Sequence, residues 1–193
     1  MQPLVARPIT GPVTDEERHY ALNALTTTQQ HLHDVIAGLS DAQLTYRPAP
    51  DRWSIADCVE HIVLVERGLF RALQTALSAA ADPDKRQGVR LLDVDVVKAG
   101  RSRSVRVPAP SPFVPTGRYG SVTAALQAFD EERQAVLAFV AQTTADFRTY
   151  YVPHFVLGML DAYQAVLLMA AHVERHRKQI DELKAEAGFP VAA

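Results

Sequence analysis

The chain has 193 residues, of which 48% are hydrophobic and 22% charged, with a formal net charge of −2. That length supports one well-buried core and disfavours two ordinary domains, so residues 1–193 are read as a single domain. The near-neutral charge excludes the basic footprint of a nucleic-acid binder, no apolar run is long enough for a membrane span, and the single Cys58 cannot form an internal disulfide.

The opening MQPLVARPITGPV lacks a basic start followed by an apolar core of signal-peptide length, so a cytoplasmic protein is expected. The first helix is predicted over 14–37. Thr14 and Glu17 form a capping box there, and Leu22, Leu25, Leu32 and Ile36 recur at helical spacing before Gly38. Its histidines, His19, His31 and His33, read as surface or boundary residues. The second helix is predicted over 54–80. Ser54 is its cap, Trp53 is a hydrophobic plug ahead of it, and Ile55, Cys58, Ile62, Val65, Leu69 and Leu73 form its apolar stripe, Cys58 as a small core residue.

Residues 82–120 differ in kind. They hold five prolines, four glycines and no sustained helical stripe, and their net charge is +4 against −2 for the whole chain, which leaves −6 elsewhere. So long a connection is either a crossover strap on the surface or a binding lid. In the second case Arg101, Arg103 and Arg106 are expected to contact an anionic cofactor. The third helix is predicted over 121–143, capped by Ser121, with Arg133 interrupting its stripe between Phe129 and Val136. Arg133 reads as an inward salt bridge, with substrate contact as the alternative. The fourth helix is predicted over 158–187, stopping at Gly188 and Pro190. The expected architecture is all-α: an up-and-down four-helix bundle with a long irregular strap between helices 2 and 3.

In AAHVERHRKQI, His172 and His176 stand four residues apart, separated by about 40° of rotation and ~6 Å of rise. Leu168, Ala165, Met169, Ile180 and Leu183 fall within about 80° of His172, so both histidines face the core. His61 lies at the flank of the second helix's apolar arc, beside Gly68, whose missing side chain is expected to leave space for a ligand. Such a trio can converge on one metal ion; core histidines satisfied by carbonyls are the alternative, and spacing does not choose between them. His154, just before the fourth helix, is a pocket candidate.

The stretch PAPDRWSIADCVEHI, the strap segment FVPTG, the turn HFVLGMLDAYQ and the closing AAHVERHRKQI, in that order, resemble the DinB-like (YfiT/DinB) superfamily over about residues 14–183. The resemblance implies a four-helix bundle in which His61, His172 and His176 hold a divalent metal ion, zinc or nickel. Gln179 fits the family's trailing Gln-Ile and would support the ligands from behind. It also implies a small-molecule substrate and a homodimer. Family members include transferases and isomerases that use a low-molecular-weight thiol such as glutathione, bacillithiol or mycothiol. Three neutral imidazoles leave the metal its full charge and an open position, so a thiol S-transferase acting on an electrophilic small molecule is expected. A metal-dependent hydrolase or a non-catalytic metal-binding dimer are the alternatives.

Overall fold

Side-chain caps start three of the four long helices where the sequence places them. In the computed structural model, which describes residues 11–191, Thr14 and Glu17 close a capping box at the start of α1 (Asp15–Ile36). A second such box, Ser40 with Gln43, opens the short α2 (Asp41–Thr45), a helix absent from the sequence reading. Ser54 with Asp57 caps α3 (Ile55–Leu77), and Ser121 caps α5 (Val122–Gln142). The N-terminal segment read for a signal peptide lies almost wholly outside the described residues. Among those described, no helix is long and apolar enough to cross a membrane.

The last helix, α6 (Ala162–Lys184), begins four residues later than predicted. Residues from 158 onward instead form a hairpin, β1 (Tyr151–His154) pairing antiparallel with β2 (Gly158–Asp161), Val152 opposite Leu160. Gly158 takes φ +77, which opens the turn and suits glycine rather than a helix start. Asp161 is the true cap, boxed with Gln164.

The four long helices do not alternate up and down. Contacts from Glu17 to Tyr163, His31 to Glu174 and Val35 to Lys184 run in the same order along both chains, so α1 and α6 are parallel. Helices α3 and α5 are parallel as well: Ile55 and Val59 share a cluster with Ala125 and Phe129, while Phe70 and Leu73 share another with Val136 and Val140. Each of α1 and α6 packs beside α3 or α5 in the opposite sense, as in Arg18 to the Val140 carbonyl and His33 to Asp130. The order is up, down, down, up. The strap is the physical reason: passing from the end of α3 to the start of a parallel α5 requires crossing the whole bundle, about 34 Å for a 23-residue helix.

The strap itself is only partly irregular. It contains α4 (Asp93–Arg101), which packs on α6 so closely that a Cβ at Gly100 would lie 2.7 Å from Ala171 Cβ. Arg148 fastens the start of α4 to the hairpin and to α1, with its guanidinium 2.6 Å from Asp93, 2.9 Å from Asp161 and 2.8 Å from Glu17. Arg133 is fully buried and pairs with Glu66 at 2.6 Å, donates to Thr28 and the Leu25 carbonyl, and lies over the Phe129 ring. The salt-bridge reading of Arg133 stands. Its candidacy as a pocket residue does not, because it is fully buried, lies outside the lining of the cleft between α3, α6, the hairpin and the strap, and has all three guanidinium nitrogens engaged inside the bundle.

Candidate metal centre

The antiparallel pairing of α3 and α6 brings His61 opposite His172 and His176. His61 and His176 are buried, and His172 is half-buried. One ring nitrogen from each of the three lies within 4.8 Å of the others. His61 Nδ1 lies 2.7 Å from the Phe113 carbonyl oxygen, which only accepts, so Nδ1 carries the proton and Nε2 presents its lone pair. On His176, Nδ1 lies 3.0 Å from Gln179 Oε1. That Gln179 atom also accepts from Arg103 Nη1 at 3.0 Å, a donor only, so it is the oxygen and His176 Nδ1 is its second donor. His176 Nε2 is therefore also a lone pair. His172 Nε2 stands 3.2 Å from His61 Nε2 and 3.1 Å from His176 Nε2.

These separations fit a metal. Ligands 2.0–2.1 Å from a tetrahedral zinc lie about 3.3 Å apart. Two lone pairs already lie within 3.2 Å of His172 Nε2, each fixed by a hydrogen bond on the far side of its ring, the arrangement that orients metal-binding histidines. Burial holds all three imidazoles below their ordinary pKa, His172 and His176 well below. For His172 its two neighbouring histidines act in the same direction, while the Phe113 carbonyl partly opposes burial at His61. The three imidazoles are thus neutral, and among the described residues no carboxylate joins the cluster. Trp53 packs against two of the rings, with its ring centroid 4.7 Å from that of His61 and 6.1 Å from that of His176.

The trio forms part of the wall of a cleft of about 960 Å³ between α3, α6, the hairpin and the strap. Gln179 sits behind His176, and Arg103 holds it in place. Arg103 also pairs with Glu182 through two contacts, of 3.1 and 2.6 Å. His154 lines the cleft too, but its Nδ1 accepts from the Val156 and Leu157 amides at 3.3 and 3.1 Å, so it clasps the hairpin turn and not the helix start. His31 pairs with Glu174 and His33 with Asp130 at the surface. Cys58 is a buried core residue whose thiol is pushed above its ordinary range by burial. Gly68 does not leave an empty space: the Phe113 ring fills it. Three contributors escaped the sequence reading. Phe113 acts through its backbone carbonyl, Trp53 was seen only as a plug, and Arg175 was overlooked between the two histidines although its helical angle, about 60° from His172, placed it on the same side.

The sequence model of the DinB superfamily matches residues 24–180. The chain is 23% identical to the uncharacterized protein YuaE of Bacillus subtilis over 149 residues, which cover 77% of this chain and 88% of YuaE. Among solved structures it is similar to YfiT of Bacillus subtilis, with a TM-score of 0.62 at 15% identity, covering 95% of this chain and 94% of that one. YfiT is described as a probable metal-dependent hydrolase with an unusual four-helix bundle topology.

Proposed function

The chain belongs to the DinB superfamily, and on that premise we propose that His61, His172 and His176 jointly hold one divalent metal ion, zinc or nickel, and that the protein is a metal-dependent enzyme acting on a small molecule in the adjoining cleft. One observation carries the reading: His61 Nε2 and His176 Nε2 lie 3.2 and 3.1 Å from His172 Nε2 at a cleft wall, with His172 partly open to the cleft. A metal held by three neutral imidazoles keeps an exchangeable position and makes a thiol or water bound there easier to deprotonate.

The reaction we favour is thiol transfer. The cleft lies near the upper end of small-molecule site volumes, with room for a low-molecular-weight thiol and its electrophile together. The thiol releases its proton to solvent, its sulfur lone pair forms the new bond to the electrophilic atom, and the leaving group departs with the electrons of the broken bond. The Phe113 carbonyl and Gln179 hold His61 and His176 in their required tautomers, and the Trp53 ring packs against both. Hydrolysis is the second reading, favoured by the description of YfiT. The proposal further takes residues 1–193 as one domain and the working unit as a homodimer.

Elemental analysis of untagged protein tests the centre, with one equivalent of metal expected. Cobalt-substituted protein then separates the reactions. A sulfur-to-cobalt charge-transfer band on adding glutathione, bacillithiol or mycothiol supports thiol transfer. No band with any of the three, together with metal-dependent cleavage of activated esters, assigns hydrolysis.

A further inference from the structure

Among the described residues four arginines line the cleft, Arg52, Arg103, Arg106 and Arg175, and they are not equivalent. Arg103 is occupied by Glu182 and Gln179. Arg52 lies 3.6 Å from Glu186, and the exposed Arg106 faces Asp51 at 3.9 Å. Arg101, expected to share this duty, does not line the cleft. Arg175 is half-buried, and among the described residues it forms no ion pair; its single hydrogen bond runs from Nη2 to the Val105 carbonyl at 2.8 Å. A guanidinium has five N–H donors in a fixed fork that matches an oxyanion. Leaving such a group unpaired and partly desolvated is costly, and a bound anion removes that cost.

We propose that Arg175 anchors an oxyanion, a carboxylate or a phosphate, of the small molecule that occupies the cleft. It lies three residues after His172 and one before His176, so an anion held there sits beside the trihistidine site with the rest of the molecule directed along it. The anion duty expected of the strap thus falls to α6. The proposal rests on the cleft being the substrate site, but not on thiol chemistry.

Trp53, the chain's single tryptophan, lines the same cleft, so its fluorescence reports binding. Succinate, inorganic phosphate and the neutral isostere succinamide are titrated into the metal-loaded and the metal-free protein. The expected result is saturable, salt-sensitive binding of succinate, of phosphate or of both, with none of succinamide. R175Q should weaken it about tenfold or more in both forms, as loss of a charged hydrogen-bonded pair implies, with partial recovery in R175K. R103Q should have the smaller effect. Which anion binds more tightly distinguishes carboxylate from phosphate. Equal affinity of R175Q and parent, equal binding of succinamide and succinate, or no saturable response to either anion overturns the proposal. Because succinate carries no thiol, these outcomes are independent of whether cobalt-substituted protein gives a charge-transfer band.

Discussion

Gly68 on α3 lies directly against the Phe113 ring: a Cβ at Gly68 would sit 2.6 Å from Phe113 Cε1 and 2.9 Å from Cζ. The same Phe113 offers its carbonyl to His61 Nδ1 at 2.7 Å. A glycine in mid-helix is thereby coupled to the tautomer of a candidate ligand two turns away. Gly68→Ala should displace Phe113, lower stability by about 1–3 kcal/mol as overpacking does, and weaken metal binding. Phe113→Ala removes the ring and keeps the carbonyl, so the double variant should recover metal affinity beyond the sum of the two single changes. Additive losses in metal titrations would separate Gly68 from the site.

Each of His61→Ala, His172→Ala and His176→Ala should sharply reduce metal content measured by elemental analysis. His19→Ala, His31→Ala and His33→Ala should leave it unchanged. Added zinc should raise the Tm of the parent and not of the triple variant, because only a ligand bound to the native state stabilises it. Full stoichiometric metal in His61→Ala or His172→Ala would place the site elsewhere.

Gln179→Leu removes the acceptor shared by His176 Nδ1 and Arg103. Metal affinity should fall about 10- to 100-fold, the usual effect of losing a group that orients a ligand. Arg103 keeps its pair with Glu182, so the fold should persist, which circular dichroism verifies.

Arg133 and Glu66 form a fully buried pair that takes no part in lining the cleft. Arg133→Met strands Glu66 without its partner and should cost about 3–5 kcal/mol in urea unfolding. The double change Arg133→Met with Glu66→Leu should recover much of that. Metal content below the new Tm should stay at parent level, in contrast to the Gly68 and Gln179 variants.

What was legible in the sequence followed from local rules. The Thr14, Ser54 and Ser121 caps and the apolar stripes located three of the four long helices to within a few residues, and the angular reading put His172 and His176 on one inward face. The hairpin is not legible because Gly158 reads as a helix boundary, whereas Asp161 and Gln164 carry the capping signal three residues later. Helix α4 was missed because it is nine residues long and its cap, Leu92, offers no side-chain hydrogen bond. The parallel pairing of α3 with α5 is a tertiary fact; only the length of the strap hinted at it. The support of His61 by a backbone carbonyl leaves no trace in residue identity at all, since any residue at 113 has that oxygen.

Acid should act on this protein through its buried imidazoles before its carboxylates. His61, His172 and His176 all have folded pKa values below the ordinary 6.5, chiefly through burial, and His154 is shifted the same way. Below pH 6.5 the unfolded chain binds protons at these positions while the folded chain does not, so stability falls as pH drops from there through the folded values. Glu174 and Glu182, held below their usual 4.5, lose their contribution only at more acidic pH. The Tm of metal-free protein should therefore decline between about pH 6.5 and 5, and a variant with His61, His172 and His176 all replaced by Asn should show a flatter profile there. Because the folded imidazoles stay neutral through this range, metal affinity measured on folded protein should hold past pH 6.5 and fall only under stronger acid. Metal release centred at pH 6.5, with a parent Tm as flat as that of the triple variant, would mean that the three rings are solvated and not the desolvated cluster described above.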